Sequence, residues 1–288
     1  MKNTMKKPVN IPVEKLRPFA GHPFKVKDDE EMNTLIESVQ TQGILSPLIV
    51  RQIENTDEYE VISGHRRLHA AVKAGITAVP ALIYALDRDS AAIAVVDSNL
   101  HREHILPSEK AFAYKLKMEA LSHQGKRTDL TSTQPVAKLR TGDIVGETLN
   151  ESRETVRRFI RLTHLIPELL DLMDEGKIAL MVGEALSYLG DEEQYAVLEE
   201  CEMNDCTPSY AQAVEMKKRF QDRQLSAYDI GEILSREKAN QQEMFKVPME
   251  RIRKYVPNAN AKQAEDFVMK ACEHYRKFLI RQRNRDER

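Results

Sequence analysis

Short apolar runs and amphipathic helical stretches alternate through the first hundred residues, and helical periodicity alone dominates the remainder of the chain. Val9 to Val13 is a brief apolar run bounded by prolines. From Asp28 to Gln42, Met32, Leu35, Ile36 and Val39 recur at the 3.6-residue period of a helix with one buried face. Gly43 comes next as a helix-stopping C′ glycine. Pro47 to Val50 and Glu58 to Ile62 read as strands on either side of the turn residues Asn55, Thr56 and Asp57. Gly64 leads into a helix from His65 to Lys73, stopped by Gly75. Val79 to Tyr84 is a further strand and Asp89 to Asn99 a further helix. This order predicts a small α/β domain over residues 1–105.

After Pro107 the strand pattern ends. Ser108 to Leu121 predicts a helix, Lys126 to Gln134 a polar loop, Ile166 to Met173 a helix closed by Gly176, and Ala179 to Leu189 and Glu192 to Cys201 two more helical stretches. Residues 106–221 are therefore expected to form an all-α domain. Residues 222–288 read as a polar linker or exposed helix from Asp222 to Gln242, then a helical C-terminal segment. There Ala264, Phe267, Val268, Ala271, Tyr275, Phe278 and Leu279 share one face, and Arg281 to Arg288 form a charged, frayed tail. A piece this short makes a poor core alone, so it is expected to dock on another chain or on the preceding domain. The predicted fold class is α+β and multidomain.

The most specific local signal runs from Gly146 to Leu162. A helix reaches a tight turn at Asn150, and a second helix opens at Ser152, a residue type that caps the free N–H groups of a first turn. Val156, Phe159 and Ile160 lie on one side of that helix and Arg153, Arg157, Arg158 and Arg161 on the other. Together these make a helix-turn-helix over about 136–163, which lays its second helix in the DNA major groove. Leu149 and Val156 are expected to pack across the turn. Ser152, Arg153, Thr155, Arg157, Arg158 and Arg161 are the DNA-binding candidates, the early positions for base edges and the later ones for phosphates or bases.

Net charge is −2 with 31% charged residues, so a DNA binder of this composition must concentrate its cations locally. Lys126, Arg127, Lys138 and Arg140 precede the motif, while Asp191, Glu192, Glu193, Glu199, Glu200 and Glu202 read as a solvated helix face. No apolar run is long enough to span a membrane, and the basic start of the chain lacks the apolar stretch of a secretory signal. Cys201, Cys206 and Cys272 lack zinc or redox spacing and are expected to be reduced thiols of a cytoplasmic protein.

A second signal is the strand–glycine–helix junction Ser63-Gly64-His65-Arg66-Arg67. A helix N-terminus with two arginines suits a polyphosphate, and glycine lets the backbone approach it. Such junctions also occur in many α/β domains without a ligand. Asn99 and Asp97, at the end of the helical stretch from Asp89, offer hard oxygens that suit magnesium, and Arg102 suits a phosphate. His101 and His104 have no sensibly spaced third ligand and read as solvated helix-end residues.

In this order and spacing the motifs resemble the ParB family of partition proteins over residues 9 to about 190. The N-terminal part resembles it through Pro23-Phe24, Gln42-Gly43, Pro47 to Val50, Ser63 to Arg67 and Asn99 to Arg102. The middle part does so through Pro107 and Glu109, Ser152 to Pro167, Gly176 to Ile178 and Gly183 to Leu186. The resemblance implies a factor that binds a centromere-like double-stranded DNA site, loads onto flanking DNA as a CTP-gated dimeric clamp, and works with a ParA-type ATPase on the bacterial nucleoid. It implies CTP and Mg²⁺ as cofactors, held by Ser63, Gly64, His65, Arg66, Arg67, Asn99 and Arg102, with Asn99 at the metal. It assigns no catalytic residue.

Departures from the family pattern bear on hydrolysis. Where the family has a glutamate after the glycine stands His65, its magnesium-binding glutamate is Ser98, its glutamine is His101, and its Gln-Pro-Arg is Lys25-Val26-Lys27. Phosphate binding is expected to survive these changes better than CTP turnover. Sulfiredoxin, a related fold, has a catalytic cysteine at the same turn, and no cysteine precedes Cys201 here. Two further readings stay open: a site-specific transcriptional regulator on the same scaffold without nucleotide hydrolysis, and a hydrolase or nuclease that the helix-turn-helix delivers to DNA.

Overall fold

In the computed structural model the described residues are 7–100, 102, 104–129, 151–236, 249–257 and 260–286. They divide into two units, one ending at Arg236 and one beginning at Glu237. The first unit starts as a sheet of five strands, β1 (Val9–Pro12), β2 (Leu16–Pro18), β3 (Leu48–Gln52), β4 (Tyr59–Ser63) and β5 (Ala78–Ile83), in the order β1-β5-β3-β4-β2. The β3–β4 and β1–β5 pairs are antiparallel, and β3–β5 and β2–β4 are parallel.

Central strands of this sheet are apolar on both faces, as strands covered on both sides must be. Leu48, Val50 and Val61 pack on Met32 and Val39 of α1 (Glu30–Gln42) and on Leu68, Ala70 and Ala71 of α2 (His65–Lys73). Ile62, one residue out of phase, points to the opposite face, where it meets Ala91, Ala92 and Val95 of α3 (Arg88–Asn99). These elements fall where the apolar pattern predicts them. β2 has no counterpart in that pattern.

The long helix α4 (Pro107–Asp129) joins the sheet to the helical part. Its Ala113 and Ala120 face the sheet side, while Ala111 and Tyr114 belong to the helical core. It runs on to Asp129, into the stretch expected to be a loop from Lys126. The rest of that loop and the first helix of the expected helix-turn-helix, including Lys138, Arg140, Leu149 and Asn150, lie outside the described residues.

Beyond it come α5 (Arg153–Leu162), α6 (Pro167–Asp174), α7 (Leu180–Leu186), α8 (Asp191–Met203), α9 (Tyr210–Gln221) and α10 (Ala227–Ser235). All contribute to one core that contains Val156, Phe159, Leu162, Leu169, Leu186, Val197, Met216, Ile230 and Ile233. The polar composition from Asp222 onward predicts a linker or exposed helix. The structure instead buries Ile230, Ile233 and Leu234 of α10 in that core. Ser226 and Asp229 form a capping box that starts α10 after the polar turn.

The second unit comprises α11 (Met249–Arg253) and α12 (Ala261–Asp286). Asn260 and Gln263 exchange hydrogen bonds at the start of α12, at 2.9 and 3.0 Å. Ala264 is buried, whereas Phe267, Tyr275, Phe278 and Leu279 stay exposed. Among the described residues no helix is long and apolar enough to cross a membrane.

Gln194 is fully buried in the helical core and satisfies three backbone groups. Its Oε1 accepts from Ile166 N at 2.9 Å, and its Nε2 donates to the His164 and Leu189 carbonyls at 3.0 and 3.1 Å. Gln194→Leu keeps the volume and strands all three. Urea unfolding is expected to show a loss of at least about 1–3 kcal/mol, the cost of one unsatisfied buried polar group.

Candidate anion-binding turn and DNA-facing helix

β4 ends at Ser63, and the chain turns into α2 through Gly64, whose φ of 107° favours glycine. A Cβ there would also lie 3.1 Å from Leu48 Cγ and 3.2 Å from Arg67 Nη2. With no side-chain cap, the first turn of α2 presents its N–H groups and the positive end of the helix dipole.

The two arginines after this glycine do different work. Arg67 turns back and donates to the carbonyls of Ser46 and, at 2.9 Å, Pro47, which ties α2 to the start of β3. Burial lowers its pKa from the usual guanidinium value. Arg66 reaches across to Glu31 at 3.2 Å and to Asp29 at 3.5 Å. Asp29 is also the N-cap of α1 and accepts from Met32 N at 2.8 Å.

His65 stacks on His22, with ring centroids 3.7 Å apart and planes at 38°. Phe19 N donates to His65 Nε2 at 3.3 Å, so that nitrogen carries the lone pair. His22 Nδ1 lies 2.8 Å from the Phe24 carbonyl and must donate to it. His22 Nε2 is buried with no partner among the described residues. Burial lowers both pKa values, and His65 is pushed down to about 3 by burial first, then by His22 and Arg102, against the raising effect of the Val61 carbonyl. A neutral imidazole therefore stands where the resemblance expects a carboxylate. His22 is invisible to sequence reasoning, because its contact with His65 is non-local.

Arg102 lies over the Phe24 ring at 5.5 Å, and burial lowers its pKa while Glu109 opposes the shift. Asn99 is buried, and its amide donates to Val95 O at 2.8 Å and to Ser98 Oγ at 3.2 Å. Asp97 does not turn toward Asn99 but pairs with Lys117 of α4 at 2.6 Å. Among the described residues no three histidines, cysteines or carboxylates gather for a metal. Arg66, Arg102 and the α2 N-terminus fit a polyphosphate. The carboxylates nearest to it, Asp29 and Glu31, are engaged by Arg66, and among the described residues no ligand set that suits Mg²⁺ gathers there. His101 lies outside the described residues.

The second candidate is α5. Ser152 Oγ accepts from Thr155 N at 3.1 Å and shares a 2.8 Å bond with Thr155 Oγ1. Val156, Phe159 and Leu162 anchor its inner face. Lys110 of α4 pairs with Glu151, just before the cap, and lies 4.7 Å from the Phe159 ring centroid.

The arginines of α5 separate by position. Arg153 and Arg157 are exposed, and Arg157 makes no ion pair among the described residues. Arg158 pairs with Glu184 of α7 at 3.4 Å. Arg161 donates through Nη2 to the Ser187 carbonyl at 2.7 Å and through Nε to Ser187 Oγ at 3.2 Å, with its guanidinium 4.1 Å over the Tyr188 ring. Ser152, Arg153, Thr155 and Arg157 thus share the outward end of the helix, while Arg158 and Arg161 lie against α7 and the residues just after it.

The histidine pair generates a pH prediction. His65 titrates near 6.5 when unfolded and near 3 when folded, so its neutral folded form contributes stability that is complete above pH 6.5 and is lost as pH falls toward 3. Urea midpoints at pH 7 and pH 5 are expected to diverge in the native protein and to diverge less in His65→Gln. An equal drop in both proteins contradicts the assignment.

The family model for the ParB N-terminal domain matches residues 1–100. The chain is 33% identical over 193 residues to the chromosome-partitioning protein Spo0J of Thermus thermophilus, covering 67% of this chain and 64% of that protein. It is 32% identical over 186 residues to the nucleoid occlusion protein of Geobacillus thermodenitrificans, covering 64% of this chain and 59% of that one. The match thus spans less than two thirds of either relative. C-terminally truncated ParB of Caulobacter crescentus, solved on the centromeric parS site, aligns with a TM-score of 0.41 and 22% identity over 78% of this chain and 98% of that one. The same protein with CTP-γ-S aligns with a TM-score of 0.31 and 25% identity over 67% and 97%. By the domain match at its start and the relatives that extend it, the chain belongs to the ParB family.

Proposed function

We propose that this protein is a DNA-binding partition factor that reads a duplex site with the N-terminal half of α5 and binds a nucleoside triphosphate at the Gly64 turn. One observation carries the DNA reading. Ser152 caps α5, Val156, Phe159 and Leu162 fix its inner face, and Arg153, Thr155 and Arg157 sit at its outward end. A rigid helix with an exposed basic end is what a recognition helix must present. Arg158 and Arg161 support that face from the side, and Arg161 acts first as a brace through Ser187.

For the nucleotide we favour CTP. The Gly64-His65-Arg66-Arg67 turn resembles the family's phosphate-binding turn, with His65 in place of its glutamate, and the Caulobacter relative was solved with CTP-γ-S. Gly64, the free N–H groups of α2, Arg66 and Arg102 take the phosphates, and Ser63 and His65 line the turn. Arg67 holds the turn in place through the carbonyls of Ser46 and Pro47. Mg²⁺ comes with the nucleotide, and Asn99 offers it one carbonyl oxygen. We assign no hydrolytic step to this chain. The protein acts as a homodimer on the bacterial nucleoid with a ParA-type ATPase, and the apolar face of α12 is the dimer contact.

A regulator that stays on its site is the second reading. It is favoured by the neutral His65 and by the pairing of Asp97 with Lys117 and of Asp29 and Glu31 with Arg66, which leave no uncommitted carboxylate at position 65 or beside Asn99 for metal-dependent turnover. Occupancy mapped along DNA separates the two: a clamp spreads from its site, and a regulator gives one confined peak.

Arg157→Ala is expected to weaken DNA binding uniformly and to reduce the slope of log K against log salt by about 1. An unchanged slope removes α5 from the interface. In calorimetry with Mg²⁺ present, CTP is expected to bind in preference to ATP and GTP. Arg66→Ala removes a charge-assisted contact of about 1.5–3 kcal/mol, an affinity loss of roughly ten- to a hundredfold. Equal heats for all three nucleotides contradict the choice of base.

A further inference from the structure

α7 packs between α5 and α9, and an open groove runs between α7 and α9 on the helical part of the first unit. Met181, Glu184, Tyr210, Val214, Lys217 and Lys218 line it. Neither the outward end of α5 nor the Gly64 turn draws on it, and three features give it a chemistry.

The first is charge. Lys217 and Lys218 make no ion pair among the described residues. The nearby acid of the same helix, Glu215, is taken by Arg219 at 2.7 Å and by Arg236 at 3.2 Å. Glu184, the acid that lines the groove, is already paired with Arg158 of α5. The groove is therefore cationic, in a protein whose net charge is −2.

The second is preorganisation. Lys217 Nζ lies 3.4 Å from the centre of the Tyr188 ring, and the Arg161 guanidinium lies 4.1 Å from the same ring. Two cations meet at one phenol, and Arg161 is fixed to Ser187 by two hydrogen bonds. A free lysine loses rotamer freedom when it grips an anion, and this one is partly ordered beforehand.

The third is continuity. Glu184 is at once a groove residue and the partner of Arg158, so the groove begins one side chain away from α5. Exposed Met181 and Val214 give it apolar edges between the charges. Alternating cations and apolar edges suit the phosphates and sugars of a nucleic-acid backbone, which account for most contacts in such interfaces.

We infer that the α7–α9 groove is a second DNA contact, which takes backbone phosphates flanking the segment that α5 reads. Lys217 and Lys218 are the phosphate ligands, and Tyr188 is a positioning residue that holds Lys217. This rests on the reading of α5 as the DNA-facing helix. The contact carries no base preference and widens the footprint beyond one recognition helix.

The test uses the full chain and a long mixed-sequence duplex, with affinity followed across a salt series. Lys217→Gln/Lys218→Gln is expected to lower the salt slope by about 2, close to 0.9 for each phosphate contact, with the thermal melt unchanged. Tyr188→Phe keeps the ring and is expected to keep the native slope, while Tyr188→Leu lowers affinity. Should the lysine variant keep the native slope while Arg157→Ala lowers it, the groove is no DNA contact and suits an acidic protein surface instead; the reading of α5 then stands. Should Arg157→Ala also leave the slope unchanged, the α5 reading fails and the groove proposal with it. A fall in affinity of the lysine variant at constant slope overturns the proposal too, because the lysines then act through the fold and not on phosphates.

Discussion

The first turn of α4 holds the helical part to the sheet. Three consecutive residues there reach three different elements. Ser108 N and Oγ both bond the Asp174 carboxylate at the end of α6, at 2.9 and 2.5 Å. Buried Glu109 accepts from its own Leu106 N at 3.2 Å and from Lys25 N at 2.8 Å, in the strap that carries His22 and Phe24. Lys110 pairs with Glu151 ahead of α5 and covers the Tyr114 and Phe159 rings. Loss of any one of these leaves a polar group without a partner in a poorly hydrated place, which costs more than the bond itself contributes. The strap over the Gly64 turn and the start of α5 are consequently set by neighbouring residues of one helix.

Around Gly64 the cations are mostly answered already. Glu31 and Asp29 hold Arg66, main-chain carbonyls hold Arg67, and Asp28 holds His69 and Lys73 at 2.8 and 2.7 Å. A phosphate entering this site must compete with Asp29 and Glu31 for Arg66, and it gains the helix N-terminus and Arg102. The neutral His22–His65 stack adds no charge to that competition, whereas a carboxylate at position 65 would repel the phosphate unless a metal stood between them. Replacing the acid by a buried histidine is thus compatible with binding an anion and leaves a nucleotide-borne Mg²⁺ to the phosphates themselves.

Local chemistry is legible in the sequence. α1, α2, α3 and β3 to β5 lie within a residue or two of where period and turn residues place them, because each carries its own cap or glycine and its own apolar face. β2 is not legible, since three residues gain a strand only by pairing with β4, far along the chain. α10 reads as linker because polar residues surround it, although Ser226 and Asp229 already spell a capping box. The six DNA-facing candidates emerge from the sequence as a set, but their division does not. Arg158 and Arg161 look like Arg157 in one dimension, and only Glu184, Ser187 and Tyr188 from the later turns tell them apart. Pairs such as His22 with His65 and Lys217 with Tyr188 likewise exist only once distant segments meet.

Charge segregation explains how a slightly acidic chain presents a basic edge. Asp191, Glu192 and Glu193 occupy the first turn of α8, where carboxylates stabilise the positive end of a helix. Glu215 is matched by Arg219 and Arg236, and Glu175 by Lys177 at 2.7 Å. These acids are assigned to helix starts and to their own partners. Arg157 is left to the solvent, and Arg161 is tied to Ser187. A free cation beside a fixed one is a useful pairing: the fixed guanidinium holds the helix end rigid, and the free one can then meet a partner without first ordering the helix that carries it.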